Sequence, residues 1–250
     1  MSIFGLSDKG RYRAENQDSF DLCETEFAQI AVVCDGMGGA AAGLLASDVA
    51  SARFVAYVRF SFATGSTRGV EDTLRQAVDA ANRTVYQMAS ENADYAGMGS
   101  TLVAGCFMKD KAVFVNVGDS RAYRVARDGM YQITKDHSLV QEIVDAGQLT
   151  PAHAMRHPRR NIITRAIGGH VFIKSDIFTV NRRPNDRFLL CSDGLTNAVP
   201  EAEIHRLILA SDNAEDACRS LVQAALDNNA RDNVTAIVFM TEKGDAQYGK

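Results

Sequence analysis

Ala28–Cys34, apolar apart from Gln29, stops at Asp35-Gly36. A run of that length, closed by a polar loop, predicts a buried strand. From Gly39 to about Phe62 the chain is Ala-rich and helical in pattern. The next helix is predicted from Val70 to about Asn92, where Val70, Leu74, Ala77, Val78, Ala81, Val85 and Met88 recur at helical spacing. Thr101–Cys106 and Ala112–Val117 read as strands joined at Lys109-Asp110-Lys111. Arg121–Ala126 and Met130–Thr134 flank Asp128-Gly129, a strong hairpin signal. Phe188–Cys191 and Val234–Met240 are further strands, with helices predicted over Glu201–Ala210 and Ala214–Asn228 between them. Strands joined by hairpins, with helices arriving in pairs, predict sheet layers with helices outside rather than alternating βαβ units.

Composition narrows the class. Of 250 residues, 46% are hydrophobic and 23% charged, and 27 basic against 31 acidic side chains leave a net charge of −4. The sign and size of that charge argue against a nucleic-acid or polyanion binder. An ordinary apolar fraction without low-complexity runs argues against disorder. Apolar stretches such as Ala28–Cys34 fall short of the roughly 20 residues of a membrane span. Met1–Gly10, carrying Asp8 and Lys9, has no apolar core of a secretory signal. The five cysteines (Cys23, Cys34, Cys106, Cys191, Cys218) lack metal-type spacing and read as reduced, buried thiols. A single cytoplasmic domain over residues 1–250, monomeric and without membrane attachment, is the expectation.

Two motifs lead elsewhere and are set aside. Gly36-Met37-Gly38-Gly39-Ala40-Ala41 satisfies a loose dinucleotide pattern, G-x-G-x-x-A. Asp35 directly before it would repel a pyrophosphate, and Val55–Phe60 holds no acidic residue for a ribose. Gly118-Asp119-Ser120-Arg121-Ala122 resembles a nucleophile elbow, but alanine replaces its last glycine.

The chemistry lies in aspartates placed at strand ends. Asp35 follows Ile30–Cys34, Asp119 follows Val113–Gly118, Asp193 follows Phe188–Ser192, and Asp232 precedes Val234–Met240. Asp18 closes the early segment Arg13-Ala14-Glu15-Asn16-Gln17-Asp18. One such aspartate is usually a turn former. Five that converge could not all stay ionised without a cation, and an all-oxygen donor set favours Mg²⁺ or Mn²⁺.

These residues fall in short motifs: Ser7-Asp8-Lys9-Gly10 with Arg13 and Asn16-Gln17-Asp18; Val33-Cys34-Asp35-Gly36-Met37-Gly38-Gly39; Gly99-Ser100-Thr101; and Val117-Gly118-Asp119-Ser120-Arg121. They continue as Asp136-His137-Ser138, Thr164-Arg165-Ala166-Ile167-Gly168, Cys191-Ser192-Asp193-Gly194-Leu195 and Asp232-Asn233-Val234-Thr235. In this order they resemble the metal-dependent serine/threonine protein phosphatases of type 2C, in their compact bacterial form, from Ser7 to about Met240. The resemblance implies an α+β fold, a four-layer αββα sandwich of two mainly antiparallel sheets between helix pairs. It implies two Mn²⁺ or Mg²⁺ ions, with Asp35 bridging them, the Gly36 carbonyl on one, and Asp193 and Asp232 on the other. Asp18 would act through metal-bound waters, and Asp119 would help hold a weaker third ion with Asp193. Arg13 would grip the substrate phosphate, and a metal-bridging hydroxide would attack phosphorus directly. A mobile flap would span about residues 139–160.

The expected substrates are phosphorylated proteins, made by a cognate serine/threonine kinase. A small-phosphomonoester hydrolase and a weakly catalytic regulator on the same fold stay open as alternatives. One departure stands out: Met37 occupies a position where some family members carry a histidine, and methionine has no proton to give.

Overall fold

The computed structural model describes residues 2–65, 69–154 and 156–241; residue 155 of the expected flap and the last nine residues lie outside these. Five strands form one antiparallel sheet in the order β1 (Ser2–Asp8), β11 (Val234–Met240), β10 (Arg187–Cys191), β7 (Arg121–Ala126) and β8 (Gly129–Gln132). The other sheet runs β2 (Asp18–Glu24), β3 (Gln29–Met37), β5 (Leu102–Phe107), β6 (Lys111–Val117) and β9 (Asp176–Asn181), with β4 (Gly99–Ser100) paired to the end of β3. Helices α1 (Ala40–Ala63) and α2 (Val70–Glu91) cover the second sheet. Helices α5 (Asp193–Ala198), α6 (Glu201–Ala210) and α7 (Ala214–Asp227) cover the first. The layers run α, β, β, α, as the resemblance implied.

The continuous apolar run in β3 follows from these layers. Ile30, Val32 and Cys34 face α1 and α2, whereas Ala31 and Val33 face the opposite sheet. Strand β11 divides the same way, with Val234, Ala236 and Val238 toward the helices and Ile237 and Phe239 between the sheets. The central layer is aromatic: Phe107 stacks on Phe239 at 4.3 Å between centroids and meets Phe114 edge-on at 5.7 Å.

Helix α1 departs from the composition reading. Its Ala41–Ala63 stretch is long and apolar enough to cross a bilayer by length and composition. Ala46, Ala50, Phe54 and Val58 nevertheless carry no exposed area, because the helix is wedged between the sheet and α2. All-round apolarity here is that of a core helix.

The flap region is more ordered in outline than its polar composition suggests. It contains α3 (Leu139–Asp145), capped by Ser138 Oγ accepting from the Gln141 N–H, and the short α4 (Pro151–Ala154). Its two ends meet. Leu139 N–H donates to the Ile162 carbonyl at 2.9 Å, and Ser138 bridges to Ile163.

Candidate active site

Where the two sheets open at one end, a cleft of about 490 Å³ gathers Asp35, Gly36, Met37, Asp119, Asp193, Asp232 and Arg13. Arg13 lies in the loop between β1 and β2, and the others arrive on strand ends. Asp35 and Gly36 close β3, Asp119 sits between β6 and β7, Asp193 opens α5 directly after β10, and Asp232 precedes β11. Five of the expected donor residues, the four aspartates and Gly36, thus share one space. Asp18 lies beneath: it pairs with Asp35 across β2 and β3, is only 5% exposed, and does not line the cleft. Its carboxylate accepts from Ser192 Oγ at 2.7 Å and Thr235 Oγ1 at 2.6 Å.

Backbone stitching fixes these positions. Thr101 Oγ1 accepts from the Asp35 N–H at 2.9 Å and bonds Ser120 Oγ at 2.7 Å, linking the Asp35 and Asp119 turns. Ser100 Oγ donates to the Asp35 carbonyl at 3.0 Å. Asn233 draws in the Arg13 loop by donating to the Lys9 and Glu15 carbonyls and accepting from the Gln17 N–H. Ser120 is fully buried in this network, which removes it as a nucleophile. The glycines let backbone pass close by. A side chain at Gly36 would collide with the Gly43 carbonyl, and one at Gly194 with the Asn233 carbonyl. The dinucleotide reading also ends here, since β3 leads through two helices into antiparallel partners.

Electrostatically the cleft is an acid cluster. Burial, reinforced by neighbouring carboxylates, pushes Asp18 up to about 7, Asp119 up to about 7 and Asp193 up to about 6. Asp35, next to all four of the others, is raised well above the usual carboxylate range, chiefly by burial. Among the described residues no three His, Cys, Asp or Glu side chains close on a single point as a ready metal cage. The donors are spread along the cleft, and all are oxygens. That chemistry fits hard divalent cations that accept carbonyls and waters to complete their shells.

A pH dependence follows. Folded carboxyls with raised values hold protons that the unfolded chain releases near 4, so their contribution to apoprotein stability is present in acid. It is lost as pH rises toward about 7. Divalent ions need the ionised forms. The gain in melting temperature on adding Mn²⁺ is therefore expected to grow between about pH 5 and 7.5, with proton release on binding. Melting curves with and without Mn²⁺ check this; a gain that is flat or shrinks with pH contradicts it.

The structure adds contacts that the sequence reading missed. Arg13 is paired with Asp232, Nη2 to Oδ2 at 2.7 Å, at the half-exposed cleft mouth. Glu15, Gln17, Asn161 and Ile163 also line the cleft, and Asn197 Nδ2 donates to Asp193 Oδ2 at 2.9 Å. The signal for several of these was at hand, because Glu15, Gln17, Ser192, Asn233 and Thr235 lie inside the short motifs already singled out.

Comparison with known proteins finds relatives along nearly the whole chain. The chain is 36% identical over 245 residues to the serine/threonine phosphatase stp of Listeria innocua, covering 98% of this chain and 96% of that protein. The crystal structure of the serine/threonine phosphatase Stp1 from Staphylococcus aureus superposes with a TM-score of 0.89 at 38% identity, over 97% of this chain and 96% of that one. The catalytic domain of the serine threonine protein phosphatase PstP, crystallised with 2 manganese ions, gives a TM-score of 0.81 at 32% identity, over 96% and 98% of the two chains. The family model described as Protein phosphatase 2C matches residues 11–236. With that match running through every strand end that reaches the cleft, the chain belongs to the protein phosphatase 2C family.

Proposed function

We propose that the protein hydrolyses phosphoserine and phosphothreonine in proteins by direct transfer of the phosphoryl group to water at this cleft. The observation that carries the reading is the cleft lining itself. Arg13 and four strand-end aspartates line it, together with Glu15, and among the described residues no Ser, Thr, Cys, His or Lys is in the lining. A covalent route through a hydroxyl, thiol or imidazole therefore has no candidate there, and the aspartates are assigned to holding cations rather than to attacking phosphorus. When bound, Mn²⁺ or Mg²⁺ would lower the pKa of water and offset charge on the phosphate oxygens. Asp35, the Gly36 carbonyl, Asp193 and Asp232 would hold two such ions, with Asp18 supporting through water from below and Asp119 contributing to a weaker third.

The chain's own residues supply binding and orientation. Arg13 offers phosphate a planar fork of donors, and its contact with Asp232 holds the guanidinium at the cleft mouth. Met37 lines the cleft but has no proton for the departing seryl or threonyl oxygen. The substrates would be the products of a serine/threonine kinase. Five free cysteines suit a reducing compartment, which favours a cytoplasmic location.

Phosphoserine and phosphothreonine peptides assayed beside sugar and nucleotide monophosphates, with and without Mn²⁺, test the substrate class. Faster turnover of the peptides is expected; equal or faster turnover of the small esters would overturn it. Arg13→Ala is expected to lower kcat/KM on phosphopeptides about tenfold or more, the scale of a lost charge-assisted contact. Unchanged kinetics would place Arg13 outside the site.

A further inference from the structure

Behind Asp119 lies a polar cluster, built on a buried histidine and two half-buried charged partners, that the proposed chemistry does not use. His137, 5% exposed, grips the Gly118 peptide from both sides. Its Nδ1 accepts from the Gly118 N–H at 3.1 Å, and its own backbone N–H donates to the Gly118 carbonyl at 2.9 Å. An Nδ1 that accepts leaves the ring proton on Nε2, which faces Asp176 Oδ2 at 3.1 Å. Arg165 Nη1 stands 3.1 Å from that same ring nitrogen and donates to Asp176 Oδ1 at 3.2 Å, which locks the carboxylate. Gly118 itself, at φ +104°, is pressed against Thr101 so closely that only glycine fits.

The same histidine closes the base of the flap. Its carbonyl accepts from the Thr164 N–H at 2.8 Å, while the next two residues, Ser138 and Leu139, pair with Ile163 and Ile162. Ile163 lines the cleft. One residue therefore joins three things: the turn that presents Asp119, the point where the flap leaves and rejoins the body, and the edge strand β9 through Asp176.

From these contacts we infer that His137 is a positioning residue, which fixes the Gly118–Asp119 turn in its cleft-lining pose and ties it to the flap base. Asp176 and Arg165 orient its ring. Its effect on catalysis rests on the reading of Asp119 as a cation ligand, but the clamp on Gly118 does not.

Two variants separate positioning from bulk stability. His137→Asn keeps an acceptor, Oδ1, close to where Nδ1 stands; His137→Leu removes it. Amide exchange at Gly118, Mn²⁺ binding by calorimetry and phosphopeptide kinetics are measured on each folded protein. His137→Leu is expected to speed Gly118 exchange and to weaken the weakest Mn²⁺ step and kcat by about tenfold, as loss of a supporting contact does, with His137→Asn restoring most of each. If His137→Leu does not fold, Asp176→Asn carries the same test, with the same direction and a smaller size. Native-rate Gly118 exchange in a folded His137→Leu or Asp176→Asn overturns the inference. So does a loss of melting temperature with exchange, Mn²⁺ binding and kcat unchanged. Failure of the Asp119 reading would look different: Asp119→Ala would leave the Mn²⁺ isotherm unchanged while Gly118 exchange still responded to His137.

Discussion

Asp35→Asn and Asp193→Asn are each expected to lower phosphopeptide turnover by about a hundred- to a thousandfold, the scale of losing one preorganised electrostatic contact in an active site. Asparagine keeps the shape but removes a negative charge from a set of aspartates that already repel one another. Burial and those neighbours raise Asp35 and Asp193 in the free protein. Relieving that repulsion leaves the metal-free fold as stable as wild type or more so above about pH 6, where the native carboxyls would otherwise have to ionise. The measurement is paired: melting without metal, and turnover with Mn²⁺. A folded variant with near-native turnover would remove that aspartate from the catalytic set.

Asp119→Ala separates a turn residue from a catalytic one. Asp119 is buried at the junction of β6 and β7, so a purely structural role predicts a lower melting temperature with rates little changed. As a ligand for a weak third ion it would instead help deliver the proton that Met37 cannot. The variant is then expected to keep near-native melting and two bound ions while losing about a hundredfold on phosphopeptides, within the range of general acid catalysis. Loss on an activated aryl phosphate should be much smaller, because a good leaving group departs unprotonated. Equal losses on both substrates contradict the proton-delivery role.

Much of the fold was legible because its central strands are buried on both faces and read as apolar runs broken only by Gln29 and Thr235. Ala28–Cys34 and Val234–Met240 are the clearest cases. Edge strands gave weaker signals. β1 is half-buried throughout, and β9 pairs on one side only, so neither shows a run or a clean alternation. Strand β2 carries Asp18, Asp21 and Glu24 among its apolar residues, and it is recognisable as a strand only once paired to β3.

The site residues were legible as positions, since strand ends flanked by glycine are few. Their geometry was not. That Asp18 sits beneath the cleft floor under two hydroxyls, and that Arg13 reaches Asp232 across 219 residues of sequence, are facts of tertiary packing. His137 was visible in a motif, yet its role depends on the flap's two ends returning to one point.

The proposal that divalent ions at this cleft are indispensable to a direct hydrolysis is tested most simply on the wild-type protein. The chain is stripped with chelator, elemental analysis verifies metal removal, and release of phosphate from a phosphothreonine peptide is followed before and after Mn²⁺ is returned. No turnover without metal and full recovery on its return is the expected result. A verified metal-free protein that hydrolyses the peptide as fast as the Mn²⁺-restored one would contradict it.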